Sequence, residues 1–256
     1  MDKIKVLVCG CNGHMGQIVC RLIEESEDME VLCGIDTTES PTSNFPVLNA
    51  VTALEALYQT PDIIIDFSHA DCSMDVLFNF ACEKNIPMVI ATTGFSDNQL
   101  SIMQKCSEET MVFLSSNMSY QVNLVAEILK EIAPKLADYD IEIVETHHNR
   151  KKDAPSGTAK TLAEAINSSL DNRMEIVYGR EGKRESNEIG VSALRGGNIV
   201  GTHTINFFGE SDSLTITHTA LSRDMFAEGA IKAAKYILEC KEQGITHGLF
   251  SMKDLM

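Results

Sequence analysis

The sequence predicts an α/β protein. A parallel sheet with helices on both faces is followed by an α+β domain whose sheet is mostly antiparallel. Short apolar strands and amphipathic helices alternate through the first half of the chain. Those strands are apolar throughout, the pattern of a sheet covered on both faces. Past residue 118 the strands alternate apolar and polar residues, the pattern of a sheet with one covered face.

Ile4–Val8 is a β-branched strand, and Gly10-Cys-Asn-Gly13-His-Met-Gly16 follows it. A helix after Gly16 then sets Ile18, Val19, Leu22 and Ile23 on one face. A second strand runs from Val31 to Ile35 and ends at Asp36. Thr37 to Asn49, with Pro41 and Pro46, reads as a loop. Strands are expected at Asp62–Asp66, Pro87–Ala91 and Met111–Leu114, with helices over about 71–83 and 97–106 between them.

From Asn123 to Leu136 the spacing of Leu124, Ile128, Ile132 and Leu136 is helical, and Pro134 must loosen the last turn. Ile141 to Glu145 alternates like a half-buried strand and leads into His147. Thr202–Phe207 and Leu214–Ala220 form an antiparallel pair across Gly209-Glu-Ser-Asp. An amphipathic helix over 226–238 and a compact tail end the chain. The expected division is residues 1–118 with 224–256 as a dinucleotide-binding domain, and 119–223 as a domain for substrate binding and oligomerisation.

Composition narrows the partners. A formal net charge of −16 argues against nucleic acid and anionic membrane surfaces. No apolar run approaches the roughly 20 residues of a membrane helix. The N-terminus enters a buried strand at once and lacks a signal-peptide core, so a cytoplasmic location is expected. The eight cysteines form no Cys-x-x-Cys pair, no metal site is expected, and reduced core thiols are the reading for all of them.

The glycine turn carries the first chemistry. A strand, a glycine turn, a helix start and an acid about 20 residues on form a dinucleotide fingerprint, with the pyrophosphate on the helix N-terminus. The spacing is Gly10-x-x-Gly13-x-x-Gly16, with Asn12 in place of the middle glycine, and Asn tolerates left-handed dihedrals best after Gly. Asp36 can accept from both ribose hydroxyls and repels a 2′-phosphate. Thr37 and Thr38 follow it and no basic residue occurs up to Asn49, so NADH is favoured and NADPH is not excluded. The plainer alternative is a tight strand-to-helix turn.

The second chemistry lies in His147-His-Asn-Arg-Lys-Lys-Asp-Ala-Pro-Ser-Gly-Thr-Ala159. An imidazole pair, three cations and a Ser-Gly-Thr step that opens a helix suit a small dianion that must also receive a proton. Each residue has a plainer reading. The histidines can be a satisfied polar pair, Ser156 an N-cap, Asp153 a loop brace, and the cations a solvated loop.

On this run the chain resembles the 4-hydroxy-tetrahydrodipicolinate reductase (dihydrodipicolinate reductase) family. The family signature His-His-x-x-Lys-x-Asp-Ala-Pro-Ser-Gly-Thr-Ala is matched at every fixed position from His147 to Ala159. The glycine turn, Asp66-Phe-Ser68, Ala91 to Phe95, Ser115 to Ser119, Arg195 to His203 and Ser222-Arg223 carry the resemblance over nearly the whole chain. It implies NAD(P)H-dependent reduction of (S)-4-hydroxy-2,3,4,5-tetrahydrodipicolinate to tetrahydrodipicolinate with loss of water, in lysine biosynthesis via diaminopimelate. His147 would be the general acid and Lys151 a second proton donor or carboxylate binder. His148, Ser156, Gly157, Thr158 and Arg223 would surround the substrate. Gly10, Cys11, Asn12, Gly13, His14, Met15, Asp36, Phe67, Ala91, Thr92, Thr93, Ser115, Ser116, Asn117 and Met118 would line the cofactor.

Met118 stands where many members carry an aromatic residue beside the nicotinamide. The resemblance also implies a homotetramer built on the outer face of the second sheet, and hinges near Met118 and Arg223. Two rivals remain at this level. One is another Rossmann oxidoreductase of an amino or hydroxy acid, of the aspartate dehydrogenase kind. The other is a protein that only binds NADH.

Overall fold

The computed structural model describes residues 2–38, 43–57, 59–72 and 74–256. The chain divides into two compact units, Met1–Ser119 with Asp224–Met256, and Tyr120–Arg223. The first opens with β1 (Ile4–Cys9), α1 (His14–Glu24), β2 (Met29–Ile35) and β3 (Val47–Leu48). It continues with β4 (Ile63–Asp66), α2 (Met74–Lys84), β5 (Met88–Ile90), α3 (Asp97–Cys106) and β6 (Met111–Leu114). The second unit holds α4 (Tyr120–Ile132), β7 (Asp140–His147), α5 (Gly157–Ser169) and β8 (Glu175–Tyr178). Its remaining strands are β9 (Glu188–Arg195), β10 (Gly201–Phe208) and β11 (Ser213–Ala220). The chain then returns to the first unit with α6 (Asp224–Glu242) and β12 (Gly248–Phe250).

The first sheet runs β12-β6-β5-β4-β1-β2-β3, and every pair in it is parallel. Its central strands are buried on both sides, and Leu7, Ile64, Met88 and Val112 join Leu77 and Phe78 of α2 in one apolar cluster. This is the Rossmann-like arrangement expected from uniformly apolar strands.

The second sheet runs β11-β10-β7-β9-β8. The antiparallel pairing of β10 with β11 extends to β7, while β9 joins β7, and β8 joins β9, in parallel. One face is covered by α4 and α5 through Leu129, Leu162, Ile166, Ile143, Ile189 and Ile205. Burial alternates along β7, which puts Ile141, Ile143, Glu145 and His147 on the covered side.

Several local expectations change. α1 begins at His14 rather than beyond Gly16. Asn12 is not left-handed; Gly10 is, with φ +74°. The loop from Thr37 to Asn49 contains β3, and its residues 39–42, Pro41 among them, lie outside the described residues. Ser73, within the span expected for the second helix, is also outside them, and that helix starts at Met74.

The α4 stripe is displaced. Val122, Ala126 and Leu129 face the core, whereas Leu124 and Ile128 are 38% and 39% exposed. The core residues recur at three- and four-residue spacing just as Leu124 and Ile128 do, so period alone could not choose between two apolar faces. Pro134 acts as expected, since α4 gives way to a 3-10 turn over Ala133–Leu136. The sulfurs of Cys82 and Cys106 lie against each other between α2 and α3.

Candidate functional site

In the first unit the glycine turn is shaped by close approaches. A Cβ on Gly10 would lie 2.6 Å from the Phe67 carbonyl oxygen, and one on Gly16 would lie 2.7 Å from Cys11 Cα. Only glycine lets the turn lie against β4 and α1 lie against the turn. Gly13 is the N-cap of α1 and supplies no side-chain cap. The helix mouth is therefore left for an anion, in contrast with α3, whose first turn is closed by a Ser96–Gln99 capping box.

Gly10, Asn12, Gly13, Asp36 and Phe67 border a cavity of about 470 Å³ that Val51, Met74 and Leu77 also line. Asp36 Oδ2 accepts from Asn12 N at 3.0 Å, and Oδ1 accepts from Thr38 N and Oγ1 at 3.0 and 2.8 Å. Burial pushes the Asp36 carboxyl up, but the donors on Thr38, Asn12 and Thr37 outweigh it and hold the group below its ordinary value. Asn12 also donates its side-chain amide to Thr38 O, so its role is to tie the turn to the end of β2. None of the described lining residues is Lys or Arg. An uncapped helix mouth, a glycine cradle and an ionised carboxylate fit a pyridine dinucleotide.

Of the other residues expected at the cofactor, Cys11, His14, Met15, Ala91, Thr92, Thr93 and Ser115 to Met118 do not border this cavity. Ser115 to Ser119 forms a turn closed by Ser115 Oγ to Asn117 O at 2.8 Å and by Ser119 N to Asn117 Oδ1 at 2.9 Å. Met118 is 2% exposed, so its side chain is a core group rather than an open surface. Thr92 is likewise buried. Ser68, part of a segment that carries the resemblance but given no role from it, borders the cavity, as do His69 and Cys72, for which the sequence carries no signal.

In the second unit the centre is Glu145, which is fully buried. Its oxygens accept from Arg195 Nη1 and Nη2 at 2.7 and 2.8 Å, from Ser156 N at 2.8 Å and from His147 Nδ1 at 2.7 Å. Burial raises the Glu145 carboxyl, but Arg195, His147 and the Ser156 amide outweigh it and hold the group below the usual range. A carboxylate only accepts, so His147 Nδ1 carries a proton and Nε2 is the nitrogen that exchanges one. A Cβ on Gly201 would lie 2.9 Å from that Nε2, so glycine there makes room for the ring.

Ser156 caps α5 by accepting from Ala159 N at 3.1 Å, and its hydroxyl meets His203 Nε2 at 3.0 Å. Burial pushes His203 down to about 4, so its ring is neutral. A Cβ on Gly157 would have no atom within 4 Å, which leaves the mouth of α5 open. Burial, then the charges of Arg150, Arg223, His147 and Lys151, lowers His148. Arg150, Lys151 and Arg223 therefore converge where β7 ends, although the protein is acidic. Lys151 Nζ rests on Asp153 Oδ1 at 2.9 Å.

Structure thus gathers His147, His148, Lys151, Ser156, Gly157, Thr158 and Arg223 in one unit around the end of β7 and the start of α5. It adds Glu145, Arg195 and His203, to which sequence reading gave no role. A signal existed for Glu145: it occupies a core-facing position of an alternating strand, two residues before a histidine.

Two family models cover the chain. Dihydrodipicolinate reductase, N-terminus, matches residues 4–118, and Dihydrodipicolinate reductase, C-terminus, matches residues 121–256. The chain belongs to the dihydrodipicolinate reductase family. It is 43% identical to the 4-hydroxy-tetrahydrodipicolinate reductase of Caldanaerobacter subterraneus, across 99% of this chain and 98% of that one. Its identity to the Clostridium tetani enzyme of the same name is 38%, over 97% and 95% of the two chains. A solved dihydrodipicolinate reductase with dipicolinate bound, from Paenisporosarcina, superposes with a TM-score of 0.80 over 99% of this chain and 100% of that one. At 23% identity that likeness concerns the fold.

As a member, the chain is an oxidoreductase that reduces 4-hydroxy-tetrahydrodipicolinate in lysine biosynthesis and takes a pyridine nucleotide. This sets aside the amino-acid dehydrogenase and the NADH-binding readings. No helix among the described residues is long and apolar enough to cross a membrane.

Proposed function

We propose that the reaction runs with His147 as proton donor, with the substrate's two carboxylates held at the end of β7 and the mouth of α5, and with NADH as the favoured reductant. Bound pyridine nucleotide supplies a hydride. Loss of the substrate's 4-hydroxyl as water leaves a conjugated ring, and hydride addition to that ring leaves electron density that must be met by a proton at the neighbouring carbon. His147 delivers it from Nε2, because Nδ1 is held by Glu145 at 2.7 Å. That contact is the observation that carries the reading. A buried histidine anchored through one nitrogen, with space kept at the other, is arranged to move a proton.

One carboxylate lies at the backbone of Gly157 and Thr158, where the helix dipole is positive and the Cβ position of Gly157 is open. The other meets His148, Lys151 and Arg223, and it competes with Asp153 for the Lys151 ammonium. The dipicolinate carried by the Paenisporosarcina enzyme is a planar dicarboxylate of this class.

The cofactor lies along Gly10 to Met15, Asp36 and Phe67, with Ala91 to Thr93 and Ser115 to Met118 toward its nicotinamide end. NADH is favoured because Asp36 is held ionised and, among the described residues, no Lys or Arg borders the cavity to meet a 2′-phosphate. A cytoplasmic homotetramer completes the proposal. The second sheet's uncovered face, with rows of threonine on β10 and β11 and an exposed Leu194, is the surface for other copies.

Substitution His147→Gln tests the core of this reading. Turnover should fall about 10³-fold, the scale of general acid catalysis, with NADH affinity almost unchanged. Unchanged turnover removes His147 from the role.

A further inference from the structure

We propose that Glu145 is a positioning residue of the reaction: clamped by Arg195, it sets both the tautomer of the His147 ring and the place of the α5 N-terminus. This rests on the reading of His147 as proton donor.

Sheet register brings the parts together. On β7, Glu145 and His147 point to the same covered side, and His147 lies opposite Arg195 of β9. Four N–H groups then converge on one carboxylate. Oε1 takes Arg195 Nη2 and Ser156 N, both at 2.8 Å, while Oε2 takes Arg195 Nη1 and His147 Nδ1, both at 2.7 Å. A guanidinium and a backbone amide only donate, so three of the four partners demand an acceptor whatever the pH. Only the imidazole can adjust, and the ionised carboxylate leaves it one choice, a proton on Nδ1.

The clamp extends further. Arg195 Nη2 also donates to Asp153 O at 2.7 Å, and Asp153 holds Lys151. One ion pair, with its carboxylate buried and its guanidinium half-buried, thereby fixes the proton donor, the helix mouth and the cation loop relative to one another. A purely structural ion pair has no need of a titratable imidazole as its fourth partner.

Nitrogen chemical shifts of isotope-labelled histidine test the contact without a variant. The neutral His147 ring in the wild-type enzyme should carry its proton on Nδ1, and a proton on Nε2 overturns the proposal. In Glu145→Gln one oxygen becomes an amide nitrogen. Ser156 N and Arg195 Nη2 retain the remaining oxygen, Arg195 Nη1 loses its acceptor, and the amide faces His147 and moves the ring proton to Nε2. Turnover should then fall about 10²-fold, within the span of acid catalysis, with NADH affinity within twofold of wild type.

A double-mutant cycle separates positioning from folding. In a His147→Gln background, Glu145→Gln should cost no more than about twofold in turnover. Losses that simply multiply overturn the proposal. Loss on His147→Gln without loss on Glu145→Gln overturns the positioning role and leaves the proton donor standing. No loss on His147→Gln overturns both. Should Glu145→Gln fail to fold, the wild-type tautomer still decides.

Discussion

Alanine at Gly201 is a small change with a calculable effect on the proton donor. Its Cβ would sit 2.9 Å from His147 Nε2 and 3.3 Å from Cδ2, whereas ordinary contact starts at 3.4 Å. The ring must therefore retreat by about 0.5 Å, taking the Nε2 gap from the first of these distances to the last. It cannot do so freely, because Nδ1 is held on Glu145 at 2.7 Å and the ring packs edge-on against His203 with centroids 5.2 Å apart. A misplacement of about 1 Å costs roughly 10²-fold in rate, so half that distance predicts about a tenfold fall in kcat.

Stability should change little, because the strain of the displaced ring offsets the gain that alanine brings. Gly201 does not need a left-handed backbone, and alanine at a compatible site stabilises by about 0.4–1 kcal/mol through the unfolded chain. NADH consumption measured beside NADH affinity and thermal unfolding reads all three. A kcat within twofold of wild type would show that the ring has no fixed place there and would refute the reasoning.

Three further outcomes are expected. Asp36→Ala should weaken NADH about tenfold, the loss of a charged acceptor, while NADPH is spared; an unchanged ratio of the two affinities contradicts the role of Asp36. Gly10→Ala combines a φ of +74° with a Cβ 2.6 Å from the Phe67 carbonyl oxygen. It should destabilise by about 3 kcal/mol, read as a fall of roughly 6–12 °C in melting temperature, and a fall under about 2 °C argues against the collision. His203 is pushed from 6.5 to about 4 by burial. The unfolded chain binds that proton between these values and the folded one does not, so stability falls as pH drops through this window, by up to about 3 kcal/mol. Denaturant unfolding near pH 7 and pH 4.5 should show the loss, and His203→Asn should shrink it.

Much of the first unit was legible because its signals are local. Uniformly apolar strands give a parallel sheet, and a glycine turn between strand and helix gives the nucleotide end. Asn12 shows the limit. Its place in the motif was read as backbone tolerance, but the residue serves through hydrogen bonds to Asp36 and Thr38, partners more than twenty residues away.

In the second unit the run from His147 to Ala159 named most of the site, since those residues are neighbours in sequence. Glu145 and Arg195 were missed as partners because their pairing is set by the β7–β9 register across 50 residues of chain. Strands β8 and β9 are short or carry Gly190 within them, and so gave weak alternation. The α4 stripe failed for a different reason: the helix has two apolar faces, and only tertiary packing chooses between them.

The most direct measurement is a structure of the enzyme with NADH and pyridine-2,6-dicarboxylate bound. One carboxylate should lie within hydrogen-bond distance of the Gly157 and Thr158 amides, with the ring edge against His147 Nε2. A ligand seated away from the α5 mouth, or His147 turned from it toward bulk water, would contradict the account.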